Sequence, residues 1–253
     1  MNTFLQALQW LFSPDRLGGT QPIPERTLEH LAYTFAAVGL AALIAVPVGY
    51  LIGHTGKGRE IAVGISGAAR ALPSFGLILL LVVLLGVTRD SLAALIAFVL
   101  LAIPTSRAGA YSGIEAIDRR TIDAARATGM TEWQILWKVE IPLGLPLLIA
   151  GIRSGVLQVV ATVTLAAYVG LGGLGIYIFR GIPLNRFDEM LGSAILIAVL
   201  ALLLDGAFAL LQHIVVPRGV TASRRPDASS SSSRRATKVE PSTEKEEEAH
   251  VHS

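Results

Sequence analysis

An all-α, polytopic membrane protein is the fold class this sequence predicts, and three observations predict it. Apolar residues form 52 % of the 253-residue chain and charged residues 16 %, against about 25 % charged in ordinary soluble domains. Mean hydropathy is +0.58. The apolar residues gather in about five segments near the length of about 20 residues that a hydrocarbon core demands, with the charges collected at their ends.

Residues 1–27 carry a short apolar run, MNTFLQALQWLF, without a basic n-region or a small-residue cleavage site, so a surface-lying turn of helix is expected rather than a signal peptide. The first span runs from about Leu28 to Ile52, opened by Glu25 or Thr27 and apolar except for Glu29 and His30 near its start. After GHTGKGRE comes a second, about Ile61 to Gly86, interrupted by Arg70 and Pro73. Its most apolar part, Leu77 to Leu85, is too short to cross alone, so the crossing includes residues before a kink at Pro73. The third span is about Leu92 to Ala110, with Pro104 and Arg107 near its end. The fourth, about Leu143 to Val169, contains Arg153, Gln158 and Thr162, and a glycine-rich loop from Gly170 to Gly175 leads towards the fifth, about Met190 to Leu211. The membrane-spanning body thus covers 28–216, and 217–253 is a Ser-rich, then acidic tail with too little apolar area to offset ordering.

Between the third and fourth spans, residues 111–142 look helical yet are too charged for lipid. In DAARATGMTEWQILWKVEIP, Met130, Trp133 and Trp137 fall three and four residues apart with Leu136 beside them, which predicts an apolar stripe opposite Glu132, Gln134 and Lys138. Such a helix lies on the membrane surface or enters a groove on a partner. Gly129 and Pro142 predict two short helices with a bend. Asp123 is placed to cap the helix after it or to accept a basic partner.

Five crossings put the chain ends on opposite sides. Basic residues are in excess on the side of Lys57, Arg59, Arg107, Arg119, Arg120, Arg126, Lys138 and Arg218. By the positive-inside rule the 111–142 loop and the C-terminus are cytoplasmic and the N-terminus outside.

The missing motifs bound the chemistry. No G-x-x-x-x-G-K-[ST] occurs, and GHTGKGR lacks both its spacing and its hydroxyl; cysteine is absent, and there is no serine elbow, zinc pattern or convergent carboxylate pair. The expectation is a chain that is not an enzyme, with no cofactor, metal or nucleic acid bound directly. A membrane enzyme or scaffold would have no visible active site.

The loop resembles the coupling motif of ATP-binding-cassette (ABC) importer permeases, Glu-Ala-Ala, three residues, Gly, nine residues, Ile-x-Leu-Pro: Asp123, Ala124, Ala125, Gly129, Val139, Ile141 and Pro142 occupy its positions. The Asp, Val and Ile departures keep charge or apolar character. The stretches IPTSRAGAYSGIEAIDRRTIDAARATGM, KVEIPLGLPLLIAGIR and TLAAYVGLGGLGIYIFRGI are similar to permeases of the osmoprotectant branch, over about 28 to 216. The glycine loop is also similar to that of methionine-type permeases, which leaves a methionine or other amino-acid importer as the alternative.

The resemblance implies a subunit that imports glycine betaine, carnitine, choline or proline, beside separate ATPase subunits that use ATP and Mg, a second permease of the same or similar chain, and a separate extracytoplasmic binding protein. It assigns Asp123, Ala124, Ala125, Gly129 and Pro142 to coupling; the predicted stripe adds Met130, Trp133, Leu136 and Trp137. Within the spans, Arg70 and Arg153 are costly in hydrocarbon unless paired, snorkelling or facing water. Asp205 is placed to balance an arginine, meet a cation or join two helices, and Gly172 and Gly173 to permit tight turns and close helix approach.

Overall fold

Long apolar runs punctuated by proline and glycine fold as helices in a computed structural model that describes residues 3–60, 63–64, 67 and 73–215; no strand occurs among them. Arg70 and the 217–253 tail lie outside the described residues. Two short helices, α1 (Thr3–Leu11) and α2 (Pro14–Gly18), precede α3 (Ile23–Thr55). Helix α3 begins five residues before the expected Leu28, because Pro24 suits a first turn whose amides have no intrahelical acceptor. It ends where Gly56, at φ 68°, bonds the Ile52 carbonyl through its N–H.

Helix α4 (Ser74–Leu85) has 12 residues, about 18 Å of rise and too little to cross alone. A 3₁₀ turn (Val87–Arg89) leads to α5 (Asp90–Glu115), which carries Pro104 inside it and continues past the expected Ala110. Next come α6 (Arg119–Ala127), α7 (Glu132–Ile135), a π turn (Leu136–Glu140), α8 (Ile141–Ala166), a 3₁₀ turn (Ala167–Val169), α9 (Gly175–Leu184) and α10 (Phe187–Val215). Among the described residues four stretches, Ile23–Thr55, Val87–Glu115, Glu132–Val169 and Phe187–Val215, are long and apolar enough to span a bilayer. The chain is an all-α polytopic membrane protein.

Glycine sets how closely these helices meet. A Cβ on Gly49 would stand 2.7 Å from both the Arg107 carbonyl oxygen and the Ala110 Cβ, and one on Gly53 would stand 2.9 Å from the Ile114 Cβ, so α3 lies backbone-close to α5. Between α5 and α8 the same holds where Gly109 faces Gly151 and Gly113 faces Gly144. In lipid no hydrophobic force drives helices together, so association rests on packing that small residues permit. Phe98, Ile78, Val156, Val159 and Val163 fill the core beside this trio.

Helix α10 packs on α1, α8 and α9. The N-terminal segment does not merely rest on a surface: buried Trp10 closes against Gly192 of α10 and meets Tyr177 edge-to-face at 5.1 Å.

Candidate functional site

The polar loop between α5 and α8 is built from local caps. The Asp118 side chain accepts from the Arg120 N–H at 2.9 Å and starts α6. Gly129, at φ 83°, makes the bend. Thr131 and Gln134 then form a reciprocal capping box that starts α7. Two helices and a bend are present, but α7 is not detached from the segment after it. Ile141 donates to the Leu136 carbonyl in the wider π pattern, and Pro142, which has no donor, enters in the first turn of α8. Residues 132–166 are therefore one continuous rod beginning at the bend.

The stripe divides on this rod. Trp133 and Trp137 are 64 % and 56 % exposed and stack edge-to-face at 5.8 Å, Met130 is half-buried, and Leu136 is only 4 % exposed. Leu136 adjoins Trp137 in sequence, about 100° around a helix, and turns inward with Ile135. Its expected place on the outward stripe is corrected accordingly. Asp123 and Ala124 are exposed on α6, Ala125 faces inward, and Gly129 is exposed at the bend. Asp123 lies inside α6 and caps nothing; it accepts instead from Arg126 at 3.4 Å.

A chain of charges crosses the loop. Arg126 donates from Nε and a terminal nitrogen to the two oxygens of Glu132, at 2.7 and 3.0 Å. These bonds hold the Arg126 guanidinium above its usual range. The other face of Glu132 looks at His54, the penultimate residue of α3: His54 Nε2 is 3.7 Å from Glu132 Oε2, and its Nδ1–H donates to the buried Glu140 at 2.6 Å. Sequence reasoning missed His54 and Glu140. No periodicity relates residues 86 positions apart; the available signal was a carboxylate, Glu140, next to an apolar span.

At the opposite end of α3, Glu29 and His30 hold the glycine loop. Glu29 accepts from the Gly173 N–H at 2.9 Å and from Arg26 at 2.7 Å. His30, fully buried, accepts from the Leu174 N–H at Nδ1 (3.3 Å) and donates from Nε2 to the Val160 carbonyl (3.0 Å), which defines a neutral tautomer. Gly173 has φ 79°, and a Cβ on Gly172 would overlap the Glu29 carboxylate. Gly173 thus holds a backbone conformation that disfavours a side chain, and at Gly172 a side chain would have to displace the Glu29 carboxylate.

Arg153 and Asp205 are paired. Two parallel bonds of 2.5 Å join α8 to α10, and each side chain remains 31 % exposed. Among the described residues no cluster of His, Asp and Glu is arranged to hold a metal ion.

Long helices packed through glycine around a capped, exposed loop define a polytopic membrane protein. Residues 45–219 match the family described as binding-protein-dependent transport system inner membrane component. The chain belongs to that family, as an ABC-importer permease of the MetI-like fold related at moderate identity to osmoprotectant permeases. Permease subunits of this family are not enzymes.

The chain is 34 % identical over 199 residues to the carnitine transport permease protein OpuCB of Listeria monocytogenes, covering 79 % of this chain and 90 % of that one. It is 32 % identical over 195 residues to the glycine betaine/carnitine/choline transport system permease protein OpuCB of Bacillus subtilis (77 % and 89 % covered). With the osmoprotectant import permease protein OsmW of Salmonella typhimurium it shares 34 % over 200 residues (77 % and 92 %). Among solved structures, an inward facing form of the MetNI methionine ABC transporter superposes with a TM-score of 0.67 at 24 % identity, over 77 % of this chain and 96 % of that one; that likeness shows the fold.

Proposed function

We propose that this chain is the transmembrane permease subunit of an ATP-driven importer of osmoprotectants, of the glycine betaine, carnitine, choline and proline class. One observation carries the coupling role: a pair of exposed tryptophans on a capped turn that is continuous with a membrane-spanning rod. A partner that seats Trp133 and Trp137 in an apolar pocket moves α8 as well, since the helix runs on between them without a break. The partner is an ABC ATPase subunit, which uses ATP and Mg; Asp123, Ala124, Ala125, Gly129, Met130 and Pro142 shape the loop it meets, and Leu136 supports that loop from beneath. The cargo class rests on the names of the curated relatives.

The same reading fixes the remaining assignments. The loop and the C-terminus are cytoplasmic and the N-terminus is outside. Five crossings fit this arrangement: α3 ends beside Glu132 and Glu140, whereas α5 begins with Asp90 beside Gly170, at the far end of α8, so α3 and α5 run in the same direction.

A second permease chain is supported by α10, whose most apolar window has no fully buried residue within this chain, and by the partly exposed Arg153–Asp205 pair, which is unfavourable against lipid. Listeria monocytogenes has two differently named relatives, OpuCB and OpuCD, which favours a related partner over an identical copy. An extracytoplasmic binding protein delivers the cargo, and 217–253 forms a cytoplasmic tail. A methionine or other amino-acid importer is the second reading, because the GLGGLG loop is also similar to that of methionine-type permeases.

ATP-dependent uptake into proteoliposomes holding the copurified complex and its binding protein separates the two, with labelled glycine betaine, carnitine, choline, proline and methionine compared directly. Uptake of a quaternary ammonium compound is expected. Methionine uptake alone would move the chain to the second reading, and a complex that hydrolyses ATP but carries none of the five would refute the osmoprotectant and methionine assignments.

A further inference from the structure

Helix α3 grips two loops, one at each end, that lie on opposite sides of the membrane. His30 and His54 are separated along one unbroken helix by a rise of about 36 Å, comparable to the hydrocarbon core at about 30 Å. At one end Glu29 and His30 take the amides of Gly173 and Leu174. At the other, His54 stands between Glu132 of the coupling helix and Glu140 of the π turn.

We propose that α3 is a strut tying the ATPase-facing loop to the outer glycine loop, with His54 and the Glu29–His30 pair as positioning residues at its two grips. The strut rests on the coupling role proposed for Trp133 and Trp137. Pro47 stands inside this helix, and three features hold it as one piece. The Gly49 and Gly53 contacts hold its inner half backbone-close to α5; His30 is fixed by two backbone partners on different segments; and Glu140, buried and accepting at 2.6 Å, is unfavourable to leave without His54. A shift of the coupling loop that keeps these bonds displaces α3, and a displaced α3 takes with it the amides of the glycine loop.

The absence of cysteine from the sequence permits a direct test. Tyr168, exposed and two residues before the glycine loop, is replaced by cysteine in the full complex with its ATPase, and its rate of reaction with a membrane-impermeant maleimide is measured with and without ATP plus vanadate. In this parent the two rates should differ on the order of fivefold, at the low end of ordinary coupling between sites.

Adding His54→Ala should bring the ratio to about one while the ATPase still copurifies; His54→Asn, which keeps a short donor, should restore part of it. Glu140→Gln, which preserves shape, serves in place of His54→Ala if that variant is not inserted. A full nucleotide-dependent ratio in His54→Ala or Glu140→Gln, or no ratio in the parent, overturns the strut. Failure of the coupling role shows separately, as a parent complex with no copurifying ATPase.

Discussion

The α5–α8 crossing makes the most quantitative demand on this fold. In Gly151→Ala the new methyl group would stand 2.6 Å from the Gly109 Cα, 2.8 Å from the Thr105 carbonyl oxygen and 3.0 Å from the Gly109 nitrogen, all backbone atoms that no rotamer change can remove. Carbon atoms pack best at about 3.5–4.0 Å, so α5 and α8 must part by about 1 Å, a gap that forfeits about a quarter to a half of each contact along the seam. Overpacking of this kind costs about 1–3 kcal/mol.

Gly39→Ala is the control, because nothing lies within 4 Å of a Cβ there and alanine gains about 0.5–1 kcal/mol over glycine within a helix. Gly151 is also inside a helix, so that gain is common to both, and the two variants should differ by roughly 1–3 kcal/mol in unfolding free energy. Denaturant titration of the purified permease in one detergent, followed by near-ultraviolet circular dichroism, measures the difference. If Gly151→Ala proves as stable as Gly39→Ala, the backbone contact is not what joins α5 to α8.

Trp133→Asp should leave the permease inserted but reduce ATPase copurification several-fold, because the change charges an exposed apolar anchor without disturbing the core; crosslinking to the ATPase at parental strength would count against the assignment. Asp205→Asn should lower the yield of monodisperse permease by leaving Arg153 without its carboxylate, and replacing both residues by leucine should recover part of that yield. Equal yields for the single and double variants would show that the pair contributes nothing. Gly172→Ala should weaken transport more than ATPase association, since the Glu29 carboxylate occupies the space a methyl group needs; unaltered uptake per ATP would refute a functional role for that close approach.

Short-range pattern governs whatever is legible in the sequence. Apolar runs, with proline before them and glycine after, locate the long helices to within a few residues, and Gly129 marks the bend because a left-handed backbone there favours glycine. The stretch IYIFRGIPL reads as connection and is a helix, α9, because burial of Tyr177 and Gly181 against neighbouring elements outweighs its glycine and proline. The anchoring of the N-terminal segment is not legible either. It depends on Trp10 finding Gly192 and Tyr177, residues distant in the chain.

The candidate site divides along the same line, and the π turn shows why. An ordinary helical repeat places Met130, Trp133, Leu136 and Trp137 on one broad face. Leu136 instead points inward, and the wide turn that begins with it sets the phase of the residues after it, so that Glu140 meets His54 and the segment before Pro142 joins α8 without a break. A turn of that kind leaves no periodic trace, because its cause is tertiary: a buried carboxylate whose hydrogen bond lies on another span, and a proline that can supply no donor. The residues a partner would touch are therefore readable from spacing, whereas those that connect that contact to the rest of the molecule are not. His54→Ala and Trp133→Asp should consequently fail in different ways, the first in transmission across the membrane with the ATPase still attached, the second in attachment itself.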